Sequence, residues 1–159
     1  MNKCIQCATP IHEELSIFNF YKSPQQFCET CTKQWQAIKL DINDKKRCTR
    51  CLNYKIKASD ECLDCKCLNQ QFTLMSQLYC EYKYDGIMKE TIHHYKFMKD
   101  YYLAEVLASK LTLPKTSYDY IVPIPSPYKR DEHRTFNPVT TVLDKMGVSY
   151  IESVSYTHL

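Results

Sequence analysis

At 159 residues the chain has room for one ordinary domain, or for a small domain and part of a second. Its 44% hydrophobic and 25% charged residues are typical of a folded, water-soluble chain. No apolar run approaches the roughly 18 residues needed to span a bilayer. The opening MNKCIQCATP lacks an apolar signal-peptide core, so a cytoplasmic protein is expected. The formal charge of +3 lies entirely in residues 1–70, with 11 Lys/Arg against 8 Asp/Glu; residues 71–159 balance at 10 each.

The first 65 residues carry four C-x-x-C pairs: Cys4/Cys7, Cys28/Cys31, Cys48/Cys51 and Cys62/Cys65. Disulfides and redox-active pairs are alternatives, but in a reducing compartment two such pairs close a tetrahedral Cys4 zinc site. Two zinc ions are therefore expected. Sequential pairing gives Cys4, Cys7, Cys28 and Cys31 at one site and Cys48, Cys51, Cys62 and Cys65 at the other. It is favoured over an interleaved cross-brace because shorter loops close at lower entropic cost. Cys67 is an alternative to Cys65, although the repeated spacing favours Cys65. Each filled site adds two negative charges, turning +3 into about −1, so net charge does not argue for nucleic acid. A local patch does: Lys45, Lys46, Arg47, Arg50, Lys55 and Lys57 surround the second site and are the DNA-binding candidates. Phe18, Phe20, Phe27 and Trp35 are expected to pack beside the first site, with stacking on bases as the alternative.

Composition changes near residue 70, giving expected domains over 1–70 (a double zinc-ribbon module) and 71–159 (an α/β domain). In the second, LYCEYKYDG alternates as a half-buried strand, with Cys80 as a small buried side chain. Ile87 to Tyr95 reads as a helix, on which His93 and His94 are ordinary surface residues. Asp100 opens another helix, whose Leu103, Val106, Leu107 and Leu111 form an apolar stripe ended by Pro114. Tyr120 to Ile124 reads as a strand buried on both faces. Asn137 and Pro138 start a helix that Gly147 closes, and VSYIE is the next strand. The loop between strand and helix holds Lys129, Arg130, His133 and Arg134, placed where parallel sheets bind anions; Lys129, Arg130 and Arg134 are the phosphate candidates.

After the cysteine pairs come Y-x-Y-D-G-x-x-K-E-x-I, Y-K-F-x-x-D-Y-x-L-A, D-Y-I-V-P-I-P and R-T-F-N, in that order. This order resembles the ComF/ComFC family of late-competence proteins, from Cys4 to about Ile151. The resemblance implies zinc fingers joined to a type I phosphoribosyltransferase-like parallel sheet. It also implies a role in natural transformation, in which single-stranded DNA is handled at the inner face of the membrane. A competence helicase and other DNA-uptake proteins are the implied partners. Thr135 stands where the family commonly has glycine, within Arg130, Arg134, Phe136 and Asn137. The acidic pair and Thr/Gly-rich loop with which phosphoribosyltransferases hold phosphoribosyl pyrophosphate (PRPP) and magnesium are not found. The expectation is thus an incomplete, C-terminally truncated domain without transferase activity, its last residues (VSYTHL) resembling library-adapter sequence. A full-length phosphoribosyltransferase and a plain zinc-ribbon interaction protein are the alternatives.

Overall fold

The computed structural model describes residues 2–12, 16–18, 20–56 and 60–152. In chain order the elements are β1 (Asn2–Lys3), β2 (Pro10–Ile11), α1 (Glu29–Ala37), α2 (Leu63–Asn69), α3 (Gly86–Phe97), α4 (Leu103–Lys110), α5 (Tyr128–Arg134) and α6 (Pro138–Lys145). Two units emerge: Met1–Ala37 with Asp85–Leu159, and Ile38–Tyr84. This grouping differs from a division at residue 70. Residues 1–37 pack through α1 on α3, whereas the composition change at residue 70 follows the last C-x-x-C pair.

In the first unit, local signals start and stop the helices. The Asp85 carboxylate accepts from the Gly86 amide at 2.8 Å to open α3, which buries Ile87, Thr91 and Tyr95 at four-residue intervals. α4 buries Leu103, Ala104, Val106 and Leu107, while Leu111, inside the expected stripe, is already extended. Asn137 caps α6 by accepting from the Val139 and Thr140 amides at 2.9 and 3.2 Å, with Pro138 following, and Gly147 at φ +67° closes it. α3 packs on α4, and α4 on α6. Each large side chain buried there contributes about 1.5–3 kcal/mol. Tyr95 donates to the Pro138 carbonyl at 3.0 Å and stacks on Phe136 with ring centroids 5.1 Å apart.

α1 joins this body. It buries Cys31 and Trp35, one turn apart, and packs on α3. The Gln6 amide nitrogen donates to Thr91 Oγ1 at 3.0 Å, tying the N-terminal segment to the same helix. Phe27 is half-buried and Trp35 buried, as expected, but Phe18 and Phe20 are exposed at 73% and 71%. Their packing beside the first site is corrected: the small surface around four cysteines covers two aromatics and no more.

The second unit closes where Lys39 pairs antiparallel with Tyr82, flanked by bonds from Leu40 N–H to the Glu81 carbonyl and from Lys83 N–H to the Ile38 carbonyl. The strand expected across Leu78–Tyr84 is reduced to this single bridge. Its buried cluster consists of Cys48, Cys62 and Cys65, with Cys51 packed against them.

The expected parallel sheet is not present among the described residues, where the sheet is two-stranded and antiparallel, Asn2 facing Ile11 and Lys3 facing Pro10. Of the Tyr120–Ile124 and 148–152 pair one bond remains, from Ile151 N–H to the Ile121 carbonyl at 2.9 Å. Tyr120 and Ile124 are 71% and 82% exposed, so the expectation of burial on both faces is also corrected. Pro123 and Pro125 lack amide donors, and among the described residues no neighbouring strand supplies a ladder. The expected loop around Arg130 is instead the short helix α5.

Candidate metal centres

Both cysteine groups are built to one plan. In the first, the Cys4 amide donates to the Thr9 carbonyl at 2.9 Å and the Ala8 amide to the Cys4 carbonyl at 2.8 Å, with Ala8 at φ 57°. In the second, Cys48 donates to Asn53 at 2.8 Å and Leu52 to Cys48 at 3.0 Å, with Leu52 at φ 61°. Each C-x-x-C is therefore wound into a tight knuckle by the residue that follows it. The other pair of each site starts a helix. Cys28 and Cys62 immediately precede α1 and α2, and their carbonyls accept from Thr32 at 3.0 Å and Lys66 at 3.1 Å. A helix N-terminus presents free amides and positive potential, which favours thiolate.

Within each group all four sulfurs lie within 4.8 Å of one another. Zinc–sulfur bonds of about 2.3 Å in a tetrahedron place sulfurs about 3.8 Å apart. Cys7 and Cys28 are separated by 3.7 Å, Cys48 and Cys65 by 3.9 Å, and Cys51 and Cys62 by 3.6 Å. The residues fit zinc, and the grouping is sequential, with Cys65 in the second group and Cys67 exposed outside it. His93 and His94 belong to neither group.

The thiols are unequally ready to ionise. The Thr9 hydroxyl, 3.1 Å from Cys7 Sγ, and the Thr9 amide hold Cys7 down at about 6. Burial opposes ionisation at Cys48, yet the amides of Cys51, Cys62 and Arg50 carry it to about 6 as well. Burial, then the neighbouring thiols, push Cys31 and Cys65 far above the ordinary range. Zinc must displace the protons from these, so its binding weakens as pH falls.

Outside the ligands, Lys110 from α4 places Nζ 3.5 Å from the Phe27 ring centroid and 5.8 Å from that of Trp35. Burial lowers its pKa, while the charges of Cys4 and Cys31 work the other way. Nothing in the spacing of Lys110, so far along the chain from Cys31, could have flagged it. Thr9, two residues from Cys7, was within reach of a local reading.

Of the DNA-binding candidates, Arg47 donates to the Leu52 carbonyl and Tyr54 hydroxyl, both at 2.9 Å, and lies over the Tyr54 ring at 4.3 Å. Arg50 donates from Nε and Nη2 to Glu61 at 3.0 and 2.6 Å, and from Nη1 to the Met75 carbonyl at 3.2 Å. Both brace the second unit. Lys45 and Lys46 are exposed, Lys55 is half-buried, and Lys57 lies outside the described residues. Lys45 and Lys55 border a groove of about 630 Å³, with Ile42, Leu78 and Tyr79 along it.

Of the phosphate candidates, Lys129 and Arg130 are exposed on α5, whereas Arg134 is buried. Its Nε donates to the Lys96 carbonyl at 2.9 Å and its Nη1 to Asp131 at 3.3 Å. Thr135 adopts φ 73°, the left-handed turn that the family's usual glycine permits.

No family model matches the chain, and no solved structure matches it. Among curated proteins it is 26% identical over 155 residues to the competence protein ComFC of Streptococcus pneumoniae, covering 94% of this chain and 67% of that protein. Motif order and this match agree: over nearly its whole length the chain is similar to the ComF/ComFC competence proteins, with two Cys4 clusters where zinc ribbons are expected.

Proposed function

We propose that the chain is a zinc-binding accessory protein of DNA uptake in natural transformation, working in the cytoplasm on single-stranded DNA beside a helicase. The observation that carries this reading is the pair of complete Cys4 clusters in a chain similar to ComFC across 94% of its length. No described helix is long and apolar enough to cross a membrane. The DNA surface is assigned to the groove of the second unit. Lys45 lines it, Lys46 is the exposed next residue, and Tyr79 and Leu78 offer apolar surface for a base. Arg47 and Arg50 shape this surface rather than contact DNA.

Fluorescence anisotropy with a labelled single-stranded oligonucleotide tests it. Affinity should fall steeply as salt rises, because each neutralised phosphate releases counterions. Replacing Lys45 and Lys46 together with Ala should flatten the salt slope by about 1.4, at roughly 0.7 per lost phosphate contact. An unchanged slope removes this groove from the reading.

The phosphoribosyltransferase-like scaffold is a second reading. It is favoured by the left-handed Thr135 between α5 and α6, which keeps the backbone turn the family makes with glycine. On this reading Lys129 and Arg130 are the cations open to a phosphate, with Arg134 holding the turn. Residues 1–159 contain no acidic pair followed by a Thr/Gly-rich loop that would hold PRPP and magnesium, so the 159-residue chain is expected to show no transferase activity. PRPP-dependent turnover by this chain would overturn that expectation.

A further inference from the structure

The two clusters share a plan but differ in what solvent can reach. In the first, Cys7 is exposed and Cys28 half-buried, while Cys4 and Cys31 are 2% and 4% exposed. In the second, Cys48, Cys62 and Cys65 are all buried and only Cys51 is half-buried. The two accessible sulfurs of the first cluster are also neighbours, 3.7 Å apart. No pair in the second cluster is open on both sides.

We propose that the first cluster is an oxidation site at which a hydroperoxide attacks Cys7, Cys28 completes a Cys7–Cys28 disulfide, and zinc is expelled. This rests on zinc filling both clusters. The Cys7 thiolate attacks one oxygen of hydrogen peroxide; the S–O bond forms, the O–O bond breaks, and hydroxide leaves. The Cys28 thiolate then attacks the Cys7 sulfur; the S–S bond forms and the sulfenic oxygen leaves as a second hydroxide. Two thiolates have supplied two electrons, and one peroxide has been reduced. The sulfurs close from 3.7 Å to about 2.0 Å, a shift available to side chains at a surface. Cys4 and Cys31 alone do not hold zinc, so the metal departs.

The consequence falls on a defined part of the molecule. Cys31 and Trp35 share α1, so loss of the metal releases α1 and the knuckle from α3. The core of α3, α4 and α6 contains no zinc ligand and persists. Oxidation thus alters the surface between the first two cysteine pairs, where Ile17, Phe18, Phe20 and Tyr21 are exposed, without unfolding the body beneath.

Trp35 is the chain's one tryptophan and is buried beside this site, so its fluorescence reports the first cluster alone. The test uses the reduced, zinc-loaded full chain and needs no substitution. Zinc content is measured first; less than two per chain overturns the zinc reading, and this proposal with it. Hydrogen peroxide is then added while a chromophoric chelator counts released zinc and peptide mapping locates oxidised cysteines. One zinc per chain should leave about tenfold faster than the other, together with a red shift of Trp35. The mapped link should be Cys7–Cys28, with the four cysteines of the second cluster still alkylatable, and a thiol reductant with zinc should restore the starting spectrum. Simultaneous loss of both ions, earlier oxidation of the second cluster, or a link from Cys7 to another cysteine would each overturn it.

Discussion

The first and second Cys4 centres are near copies in backbone, yet what depends on each differs. Around the first stand Trp35, Ile87, Tyr95, Leu103, Val106 and Leu107, an apolar core with its own helices. Among its described residues the second unit buries little besides cysteine sulfur and Leu52. A unit of that size has too little apolar burial to offset its chain entropy, so metal must supply the difference. One motif is thus an attachment in one context and the whole foundation in the other.

The sharpest way to break this comparison is to remove one buried ligand from each centre. Zinc binding at such sites is worth about 10–16 kcal/mol. Cys65→Ser should therefore unfold the second unit, read as loss of amide-exchange protection throughout residues 38–84. Cys31→Ser should also lower zinc content from two to one, but α3, α4 and α6 should stay protected while Trp35 becomes exposed. If Cys31→Ser strips protection from those helices too, the first centre is as essential as the second and the contrast fails.

The arginines extend the comparison to smaller effects. Arg134 is buried and satisfies the Lys96 carbonyl as well as Asp131. Arg134→Ala should cost about 1–2 kcal/mol, because it leaves two half-buried acceptors without their donor. Arg50 makes more bonds, but with more water around them, and solvent screens its pair with Glu61. Arg50→Ala should be the milder change in denaturant unfolding. The reverse order would mean that the second unit leans on Arg50 more than the helical body leans on Arg134.

Much of the metal chemistry was legible because zinc ligation is written locally. Spacing and loop length favoured the four cysteines that meet at each site, with Cys65 ahead of Cys67, and the structure groups them so. The helix start at Asn137-Pro138 was legible for the same reason, because it acts on its own neighbours, whereas Asp85-Gly86 read only as the end of a strand and proves to be the cap of α3. The sheet was not. The apolar run at Tyr120–Ile124 reads as a buried strand only if partners exist, and a run of apolar residues cannot say whether they do. Phe18 and Phe20 were misplaced by a similar step, since an aromatic near a cysteine pair is no evidence of space to bury it. Nor did six nearby cations reveal that Arg47 and Arg50 are occupied by carbonyls, a ring and a carboxylate. Such partners become visible only once the chain is folded.

The smallest effects sit in the knuckles, where Ala8 and Leu52 hold left-handed φ values of 57° and 61°. That conformation costs a residue with a Cβ about 1–2 kcal/mol, which glycine avoids. Ala8 is exposed and packs against little, so Ala8→Gly should stabilise the first knuckle by up to about 1 kcal/mol and slow zinc transfer to a competing chelator. Leu52 lies against the second cluster at 8% exposure, and losing its side chain forfeits about 1.5–3 kcal/mol of burial. Leu52→Gly should relieve the same strain and still lose stability, speeding zinc transfer. Thr135→Gly, at φ 73° and away from both metals, relieves the same strain at the loss of the hydroxyl bond to the Arg134 carbonyl, and should raise the melting temperature. Opposite signs at Ala8 and Leu52 would show that the second centre needs every apolar contact it has. Matching gains at both would mean its metal already suffices, and that apolar packing is as incidental there as the knuckle is to the helical body.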